Sequence, residues 1–359
     1  MDRQSYLEIN KDAFLNNVKA IQDYVGNKKL MPVIKGNAYG TYINKKLELI
    51  KDFDIVAVAI VQEAIELRKL GYKNEIFVLN QPYVEDIPNI IKYNVTIGVA
   101  SLEFVKELKK YDSEFKIHLE LETGMGRTGI YLQDLENFIK EVKNNKKICV
   151  EGVYTHFSSA DFDVEFTNKQ IEKFEKGVEI VKKSFDNLKY IHCSASNGIL
   201  NFKVDICNLV RPGIILYGYE SSEDTMKKIN LFPVAKLKSK ISFIKEVEPG
   251  TSISYSQKFI TNKKMKIATV GIGYLDGIKR CLINKGKVVI NGKLANMVGT
   301  ICMDSFMIDV TDIPEAKVGT EVFIWDNNVR KLEDIANECD TINYEIISTI
   351  SDRVPRKFV

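Results

Sequence analysis

The sequence predicts an α/β protein in which an N-terminal (β/α)8 TIM barrel is followed by a C-terminal, mainly β domain. Two observations carry this prediction. Short apolar and β-branched runs alternate with amphipathic helical patterns in the first two thirds of the 359 residues. After about residue 222 the pattern changes to strands separated by turn residues, with little helix. We therefore expect a barrel domain over residues 1–222 and a β domain over residues 223–359.

Eight candidate strands account for the barrel, at residues 30–35, 53–59, 75–80, 94–100, 115–123, 148–157, 190–196 and 209–218. Helical spacing of apolar residues is clear in three of the intervening stretches, at 61–71, 102–111 and 168–186. In such a barrel the active site lies at the C-terminal ends of the strands. Residues 1–10 could belong to either domain, because the strand-like run SYLEIN is not needed to complete the eight barrel strands.

The β domain is predicted from six runs, KLKSKISFIKEV, GTSISY, KMKIATVGIGY, GKVVINGKLANMVGT, FMIDVTD and GTEVFIW. Each is rich in β-branched or aromatic residues and is bounded by turn residues.

The composition favours a cytoplasmic protein that acts on small molecules or pairs with copies of itself. Lys+Arg 51 against Asp+Glu 48 gives a net charge of +3, spread along the chain, so no nucleic-acid footprint is expected. No run approaches the roughly 20 apolar residues of a membrane span. The start MDRQSYLEIN has no apolar signal-peptide core. The 6 cysteines show no CxxC or zinc-like spacing, which favours reduced thiols and no metal.

Lys35 follows the apolar run MPVI and precedes the turn-prone GNAYG, so it lies at the C-terminal tip of the first predicted strand. A lysine there can form a Schiff base with a carbonyl cofactor if burial or a neighbouring cation lowers its pKa. A surface lysine with a solvated amino group is the ordinary alternative.

The run GMGRTG at 124–129 fits the GxGxxG pattern of dinucleotide-binding loops. It follows the fifth strand instead of the first, and Arg127 inside it would crowd a pyrophosphate. A nucleotide-dependent oxidoreductase is therefore the weaker hypothesis.

Three further residue types could carry chemistry. Among the histidines, His156 ends a predicted strand, whereas His118 and His192 are expected to be hydrogen-bonded structural residues. Arg211, in RPGI, should point into the barrel mouth, where an ion pair is the alternative role. Tyr255 and Tyr274 stand beside Gly and Ser in the second domain, where packing is the ordinary role of a tyrosine.

Taken together, these stretches resemble the alanine racemase family of pyridoxal-phosphate enzymes. The matching segments occur in order along nearly the whole chain: VIKGNAYG, ETGMGRTG, YTHFSSAD, LVRPGIILYG, SISYS, GYLDG, GTICMDSFMIDV and INYE. An ordered series of this kind is more specific than any one motif.

The resemblance implies that Lys35 holds pyridoxal 5'-phosphate and then acts as one of two catalytic bases, with Tyr255 as the other. Tyr255, His156 and Arg211 would form a hydrogen-bond chain, and Arg211 would also face the pyridine nitrogen without giving up its proton. By the same resemblance, His156 and Arg127 would also contact the cofactor.

The resemblance also implies the remaining contacts. The phosphate would be bound by Tyr39, Ser196, the backbone amides of Gly213 and Ile214, and Tyr344. The substrate carboxylate would be bound by Arg127 and the N–H of Met303, with Asp304 and Tyr274 in the same substrate set and Tyr274 and Tyr344 narrowing the entrance. Because Tyr255 and Met303 reach the opposite subunit in this family, a homodimer with shared active sites is expected.

Two positions depart from the family pattern. Glu120 stands where many members carry a lysine modified to a carbamate, and Glu122 replaces the usual Asp. A carboxylate at position 120 can orient Arg127 as the carbamate does, but its side chain is shorter. The expected activity is the interconversion of L- and D-alanine, with a serine or broad-specificity racemase as the alternative. A non-catalytic PLP-binding barrel protein and a PLP decarboxylase are weaker alternatives, because residues 223–359 and the RPGI and ICMD segments fit the racemase better.

Overall fold

The computed structural model describes residues 3–186, 188–220 and 229–359, which form two compact units. The barrel unit comprises Leu15–Ala38 and Tyr42–Phe232. The β unit comprises the chain up to Phe14, Tyr39–Thr41 and Pro233–Val359. The domain boundary predicted at residue 222 lies outside the described residues.

The strands are β1 (Tyr6–Ile9), β2 (Lys29–Leu30), β3 (Ile55–Val58), β4 (Glu75–Val78), β5 (Thr96–Val99), β6 (Phe115–Glu120), β7 (Ile148–Tyr154), β8 (Tyr190–His192), β9 (Leu209–Val210), β10 (Ala235–Val247), β11 (Met265–Val270), β12 (Lys287–Ile290), β13 (Lys293–Val298), β14 (Phe306–Asp309), β15 (Glu321–Trp325) and β16 (Arg356–Phe358). The helical segments are α1 (Lys11–Val25), α2 (Lys35–Tyr39), α3 (Leu47–Ile50), α4 (Val61–Leu70), α5 (Ile87–Tyr93), α6 (Leu102–Leu108), α7 (Leu135–Lys143), α8 (Val164–Lys182), α9 (Ser196–Asn201), α10 (Leu332–Glu338) and α11 (Asn343–Ser348). None of these described helices is long and apolar enough to cross a bilayer.

The barrel unit contains the predicted ring of parallel strands. Six of them pair in the order β3-β4-β5-β6-β7-β8, and β2 pairs in parallel with β9. Two links join these sheets at both edges. Val33 bridges Ala57 in parallel on one side, and the N–H of Arg211 donates to Ser194 O at 2.9 Å on the other. The fold prediction is thereby confirmed, with the C-terminal strand ends as the expected place of the site.

The first barrel strand differs from the prediction of residues 30–35. Ladder pairing covers only Lys29–Leu30, and Pro32 in the following segment has no N–H to donate. Lys35 then begins the α2 segment, in which Gly36, Asn37 and Ala38 all have left-handed backbone angles. Lys35 therefore sits at the start of a strained turn that follows a short strand.

The predicted helices of the barrel unit are present with adjusted ends. The stretch 168–186 belongs to α8, which begins earlier, at Val164. The side chain of Asp163 accepts a hydrogen bond from the Phe166 N–H, so an N-cap sets this start. The other two predicted stretches correspond to α4 and α6.

The β unit is built on one sheet of order β11-β14-β13-β12-β15-β10-β1-β16, which curls so that β10 also pairs with β11. The run SYLEIN lies in this sheet, because β1 pairs antiparallel with β10 and parallel with β16. The GTSISY run is not a strand; Ser252 makes only an isolated bridge to Ile260. The two helices α10 and α11 were not predicted from the sequence.

Candidate functional site

Lys35 lies beside the Arg211 segment at the C-terminal ends of the barrel strands. The N–H of Met31 donates to Val210 O at 2.8 Å, and the N–H of Val33 donates to Pro212 O at 2.9 Å. These two hydrogen bonds between backbone groups hold the segment before Lys35 next to the segment that carries Arg211.

The environment of Lys35 suits a nucleophilic amine. Burial is the largest cause that lowers the pKa of its amino group, and the nearby charges of Arg127 and Arg211 lower it further, while Glu63 opposes them. A lowered pKa increases the neutral fraction of the amine near pH 7. Only the neutral amine can attack a carbonyl carbon or accept a proton.

The turn after Lys35 is held by strain and by one carboxylate. The φ angles of Gly36, Asn37 and Ala38 are 60°, 52° and 54°, a conformation that costs energy for residues with a side chain. Glu63 compensates: its Oε1 accepts from Gly36 N–H at 2.5 Å and its Oε2 from Ala59 N–H at 2.7 Å. The sequence analysis missed Glu63, because its targets are backbone groups on two other segments.

Arg211 is buried, and both terminal nitrogens of its guanidinium have hydrogen-bond partners. Nη1 contacts His192 Nδ1 at 2.8 Å, and Nη2 donates to Thr155 O at 2.9 Å and Cys193 O at 3.0 Å. Nη2 also lies 3.2 Å from His156 Nδ1. The alternative of a directly ion-paired arginine does not hold among the described residues, because none of these partners is a carboxylate.

The Arg211 contact fixes the state of His156. Burial, together with the charge of Arg211, lowers the pKa of His156 to about 3, so its ring is neutral. Because a guanidinium can only donate, His156 Nδ1 is the acceptor, and the single ring proton sits on Nε2. His156 can therefore present an N–H to an oxygen on its far side.

Ser196 and Gly213 meet at the predicted phosphate position. The N–H of Gly213 donates to Ser196 Oγ at 3.1 Å, and Ser196 and Ile214 are both buried. These groups belong to the last two barrel strand ends, a usual place for phosphate in this fold. Three of the predicted phosphate contacts are thus brought together.

The GMGRTG loop folds back on β6. Both carboxylate oxygens of Glu122 accept from the loop, one from Gly124 N–H and one from Gly126 N–H. Gly129 has a φ of +131°, and a Cβ there would lie 2.5 Å from Glu122 N. The loop does not open a helix, since α7 begins only at Leu135, so the geometry that a dinucleotide-binding loop needs is missing here. The exposed Arg127 is presented at its tip.

Glu120 is a buried acid with an incomplete set of partners. Its Oε2 has no hydrogen-bond partner among the described residues. Burial raises the pKa of its carboxyl group, opposed by hydrogen bonds with Thr128 and Tyr154 and by the charge of Arg127. A carboxyl group therefore lies near Arg127, although no direct bond joins the two.

In the β unit, Tyr39 and Tyr344 lie together. Their rings are 5.8 Å apart with a 53° tilt. Burial, with Tyr344 nearby, raises the pKa of Tyr39, so its hydroxyl keeps its proton and can donate. The neighbouring Gly40 has no room for a side chain, because a Cβ would meet Ile347 O at 2.5 Å. These contacts fasten Tyr39 to α11.

Tyr255 lies on a strained loop of the β unit, and the residue is 68% exposed. Its neighbours Ser254, Ser256 and Gln257 all have positive φ angles, and Thr300 Oγ1 donates to Tyr255 O at 2.9 Å. Strain of this kind at an exposed tyrosine is typical of a functional position.

Tyr274 and Met303 are neighbours in the β unit. The N–H of Tyr274 donates to Cys302 O, and the N–H of Leu275 donates to Met303 O, both at 3.0 Å. Asp304 forms an ion pair with Arg353 at 2.8 Å. That pairing suits a role of Asp304 in holding the loop better than direct contact with a substrate carboxylate, which it would repel.

The barrel places a lysine of lowered pKa and a buried arginine without a carboxylate partner at the ends of its parallel strands. This arrangement is typical of barrel enzymes that hold a carbonyl cofactor on a lysine. Residues 9–221 match the family model described as alanine racemase, N-terminal domain, and residues 234–358 match alanine racemase, C-terminal domain. The chain belongs to the alanine racemase family.

Individual relatives agree along the whole length. The alanine racemase of Halothermothrix orenii is 38% identical over 99% of this chain and 97% of its own. That of Clostridium novyi is also 38% identical, over 99% of this chain and 96% of its own. Among solved structures, alanine racemase of Clostridium difficile 630 has a TM-score of 0.92 at 36% identity, covering 100% of this chain and 96% of that one. The Bacillus anthracis enzyme with bound L-Ala-P has a TM-score of 0.92 at 35% identity, with the same coverages of 100% and 96%.

The residues present fit the pyridoxal phosphate on which this family depends. Lys35 supplies an amine of lowered pKa, Arg211 a buried guanidinium, and Gly213 a backbone N–H beside the Ser196 hydroxyl. Each group is of the chemical kind that an aldehyde, a pyridine nitrogen or a phosphate needs.

Proposed function

We propose that the protein is a pyridoxal-phosphate-dependent racemase that interconverts L- and D-alanine in a two-base reaction. The observation that carries this proposal is the position of Lys35 on its strained turn, next to the segment of Arg211, in a chain that matches the family over both of its domains. When bound, pyridoxal phosphate supplies an electron-accepting ring that acidifies the α-hydrogen of the amino acid.

The phosphate is bound by Tyr39, Ser196, Tyr344 and the backbone N–H groups of Gly213 and Ile214. The Ser196–Gly213 contact and the Tyr39–Tyr344 pair support this assignment. Tyr39 keeps its proton for donation, because burial raises its pKa.

Lys35 and Tyr255 serve opposite faces of the substrate. Racemisation needs a proton taken from one face of Cα and another delivered to the other face, so one base is not enough. Lys35 can take the proton because its pKa is lowered. Tyr255 as a phenolate is stabilised by the Nε2–H of His156, whose tautomer Arg211 fixes.

Arg211 holds the ring nitrogen of the cofactor without protonating it. A guanidinium donates hydrogen bonds but does not release its proton at ordinary pH. A ring left unprotonated in this way would withdraw less electron density from the reacting carbon, which would favour proton return to Cα over transamination.

Arg127 and the N–H of Met303 bind the substrate carboxylate, and Tyr274 with Tyr344 narrows the entrance. Asp304 keeps the Met303 loop in place through Arg353. Glu120 orients Arg127 in place of the carbamate that many relatives carry. The Glu120 side chain is shorter than a carbamylated lysine, and its Oε2 has no hydrogen-bond partner among the described residues. Arg127 can therefore take a different position and alter the substrate preference, so serine or a broader set of amino acids is the second candidate substrate.

The active site is shared between two copies of the chain. Tyr255 and Met303 are 68% and 48% exposed on the single chain, as expected of residues that reach into a partner's site. Mixing Lys35→Ala and Tyr255→Ala chains after reversible dissociation tests this. Each mixed dimer then carries one intact site, so about a quarter of the wild-type activity returns. Activity that stays at the level of the separate variants would rule out shared sites.

The protein acts in the cytoplasm and supplies D-alanine. The substrate assignment is tested by incubating the purified protein with a panel of L-amino acids, with and without added pyridoxal phosphate, and separating the products by chiral chromatography. D-alanine should form fastest. Inversion of no amino acid would leave a cofactor-binding protein without racemase activity, and faster inversion of L-serine would favour the second candidate.

A further inference from the structure

A line of polar side chains runs through the interior of the barrel unit, from Arg211 to the opposite end of the strands. Arg211 Nη1 lies 2.8 Å from His192 Nδ1, and His192 Nε2 lies 2.9 Å from His118 Nδ1. His118 in turn is grouped with Glu75 and Glu151, with one nitrogen or oxygen of each within 4.8 Å of the others. The members of this group lie far apart in the sequence, so no short motif indicates it.

The direction of every hydrogen bond in this line follows from its first member. Arg211 can only donate, so His192 Nδ1 accepts and the proton of a neutral His192 sits on Nε2. His192 Nε2–H then donates to His118 Nδ1. A neutral His118 must therefore carry its own proton on Nε2, the ring nitrogen that His192 does not use.

Both imidazoles are neutral. Burial, with the charges of Lys189 and Arg211, lowers the pKa of His118 to about 3. Burial, with the charge of Arg211, puts the pKa of His192 well below its ordinary value. The tautomer assignment therefore holds at any pH at which the enzyme works.

Two polar atoms remain at the end of the line. His118 Nε2 and Glu151 Oε2 are both buried and have no hydrogen-bond partner among residues 3–186, 188–220 and 229–359. His118 Nε2–H is a donor and the Glu151 oxygen can accept, and the cluster of Glu75, His118 and Glu151 is compact enough for one bridging water to join the two atoms. A bridging water would satisfy both atoms at once.

The charge of Arg211 explains why such a line is useful. A buried cation is costly unless negative charge compensates it, and its hydrogen-bond partners in the described structure are imidazoles and carbonyl oxygens. An imidazole whose N–H donates to a carboxylate is a stronger acceptor at its other nitrogen, since hydrogen bonds in a chain polarise one another.

We propose that His192 and His118 are positioning residues that transmit the negative charge of the Glu75–Glu151 pair to Arg211 through a one-directional hydrogen-bond chain. The pair stabilises the charged guanidinium from the far end of the barrel and so supports its role as a donor that keeps its proton. The part of this inference that concerns catalysis rests on the proposed function; the direction of the chain does not.

The far end of the chain opens on a polar cavity of about 390 Å³, lined by residues that begin the barrel strands. Glu75 Oε2 accepts from Lys189 Nζ at 2.8 Å and from Tyr190 Oη at 3.1 Å, which fixes its carboxylate. Burial and the charge of Glu75 raise the pKa of the Glu151 carboxyl group, opposed by the charges of Lys116, 3.8 Å away, and Lys189. The same tautomer argument excludes a metal ion at His118 Nε2, because that nitrogen has no free lone pair.

The direct test is nitrogen NMR on holoenzyme labelled only at histidine. The chain has just 3 histidines, so single variants assign every signal. His118 and His192 should both be neutral with the proton on Nε2, at every pH at which the protein is folded. A His118 proton on Nδ1, or a His118 cation, would overturn the proposal whether or not the protein is a racemase.

Carboxylate variants test the transmission. In Glu151→Gln, the Nε2 signal of His118 should shift, with a smaller shift at His192, and Glu151→Asp should restore most of it. The ratio of transamination to racemisation should rise about fivefold, the factor that separates a charge-assisted from a neutral hydrogen bond.

Asp54→Asn is the matched control, because Asp54 lies at the same end of the barrel but pairs with Lys29 at 2.8 Å. It should leave both histidine signals and the product ratio unchanged. Equal effects of Asp54→Asn and Glu151→Gln, or no shift at His192 in Glu151→Gln, would contradict transmission along the chain.

Discussion

Glu63 holds the turn that carries Lys35, and its replacement tests this support quantitatively. The two carboxylate oxygens accept from Gly36 N–H at 2.5 Å and Ala59 N–H at 2.7 Å. A hydrogen bond to a charged group contributes about 1.5–3 kcal/mol. In Glu63→Gln the new NH2 group faces one of these N–H donors, so one such bond is lost. We expect a loss of about 2 kcal/mol in the local stability of the turn.

Hydrogen exchange measures this loss where it occurs. A change of about 2 kcal/mol corresponds to roughly 30-fold faster exchange of the amides it protects. The assay is mass spectrometry of peptides that cover residues 31–40 and 55–62. Glu66→Gln is the control on the same helix, since the Glu66–Lys45 pair is half exposed at 3.7 Å and such pairs contribute little. Equal exchange in the two variants would refute the reasoning.

The same variant has a predicted pH effect. The negative charge of Glu63 raises the pKa of Lys35, so removing that charge lowers the pKa further. Lys35 must be neutral to accept a proton, and the acid limb of the pH–rate profile should therefore move to lower pH. A move to higher pH would contradict this assignment of charges.

Three other variants have distinct outcomes. Tyr255→Ala should stop inversion but still exchange the α-hydrogen of one alanine enantiomer in D2O, followed by NMR; exchange of both enantiomers at equal rates would refute the two-base assignment. Arg211→Glu should raise transamination relative to racemisation by roughly tenfold or more, measured as pyruvate against D-alanine, because a carboxyl group can protonate the ring nitrogen; an unchanged ratio would count against its role. The racemase activity of the wild type, with Glu120 in place, should not change when bicarbonate is added, whereas the activity of Glu120→Lys should rise. A wild-type activity that depends on bicarbonate would exclude a permanent anion at this position.

The sequence predicts the positions of the barrel strands, but not the backbone conformation and hydrogen bonds around Lys35. All eight barrel strands fall within their predicted runs or one residue outside them, because apolar β-branched runs report burial directly. The strand before Lys35 proved shorter, since three successive left-handed residues have no signature beyond one glycine. Glu63 could not be found, because the backbone groups it binds are set by the tertiary fold.

The histidines show the same limit. His118 and His192 were expected to be hydrogen-bonded structural residues, and their 2.9 Å contact agrees. Their position between Arg211 and two glutamates depends on the pairing of successive barrel strands through tertiary structure, which short spacing rules do not cover. The α10 and α11 helices were missed because their apolar residues were few and the surrounding chain read as strand and turn.

Borohydride reduction of the holoenzyme tests the central claim most directly. Reduction fixes the cofactor irreversibly on the amine that holds it, and proteolysis with mass spectrometry then locates the label. We predict a single pyridoxyl-modified peptide, labelled at Lys35 within MPVIKGNAYG. A label on any other lysine, or none on a protein that absorbs as a pyridoxal-phosphate enzyme, would contradict the assignment of Lys35 and the mechanism built on it.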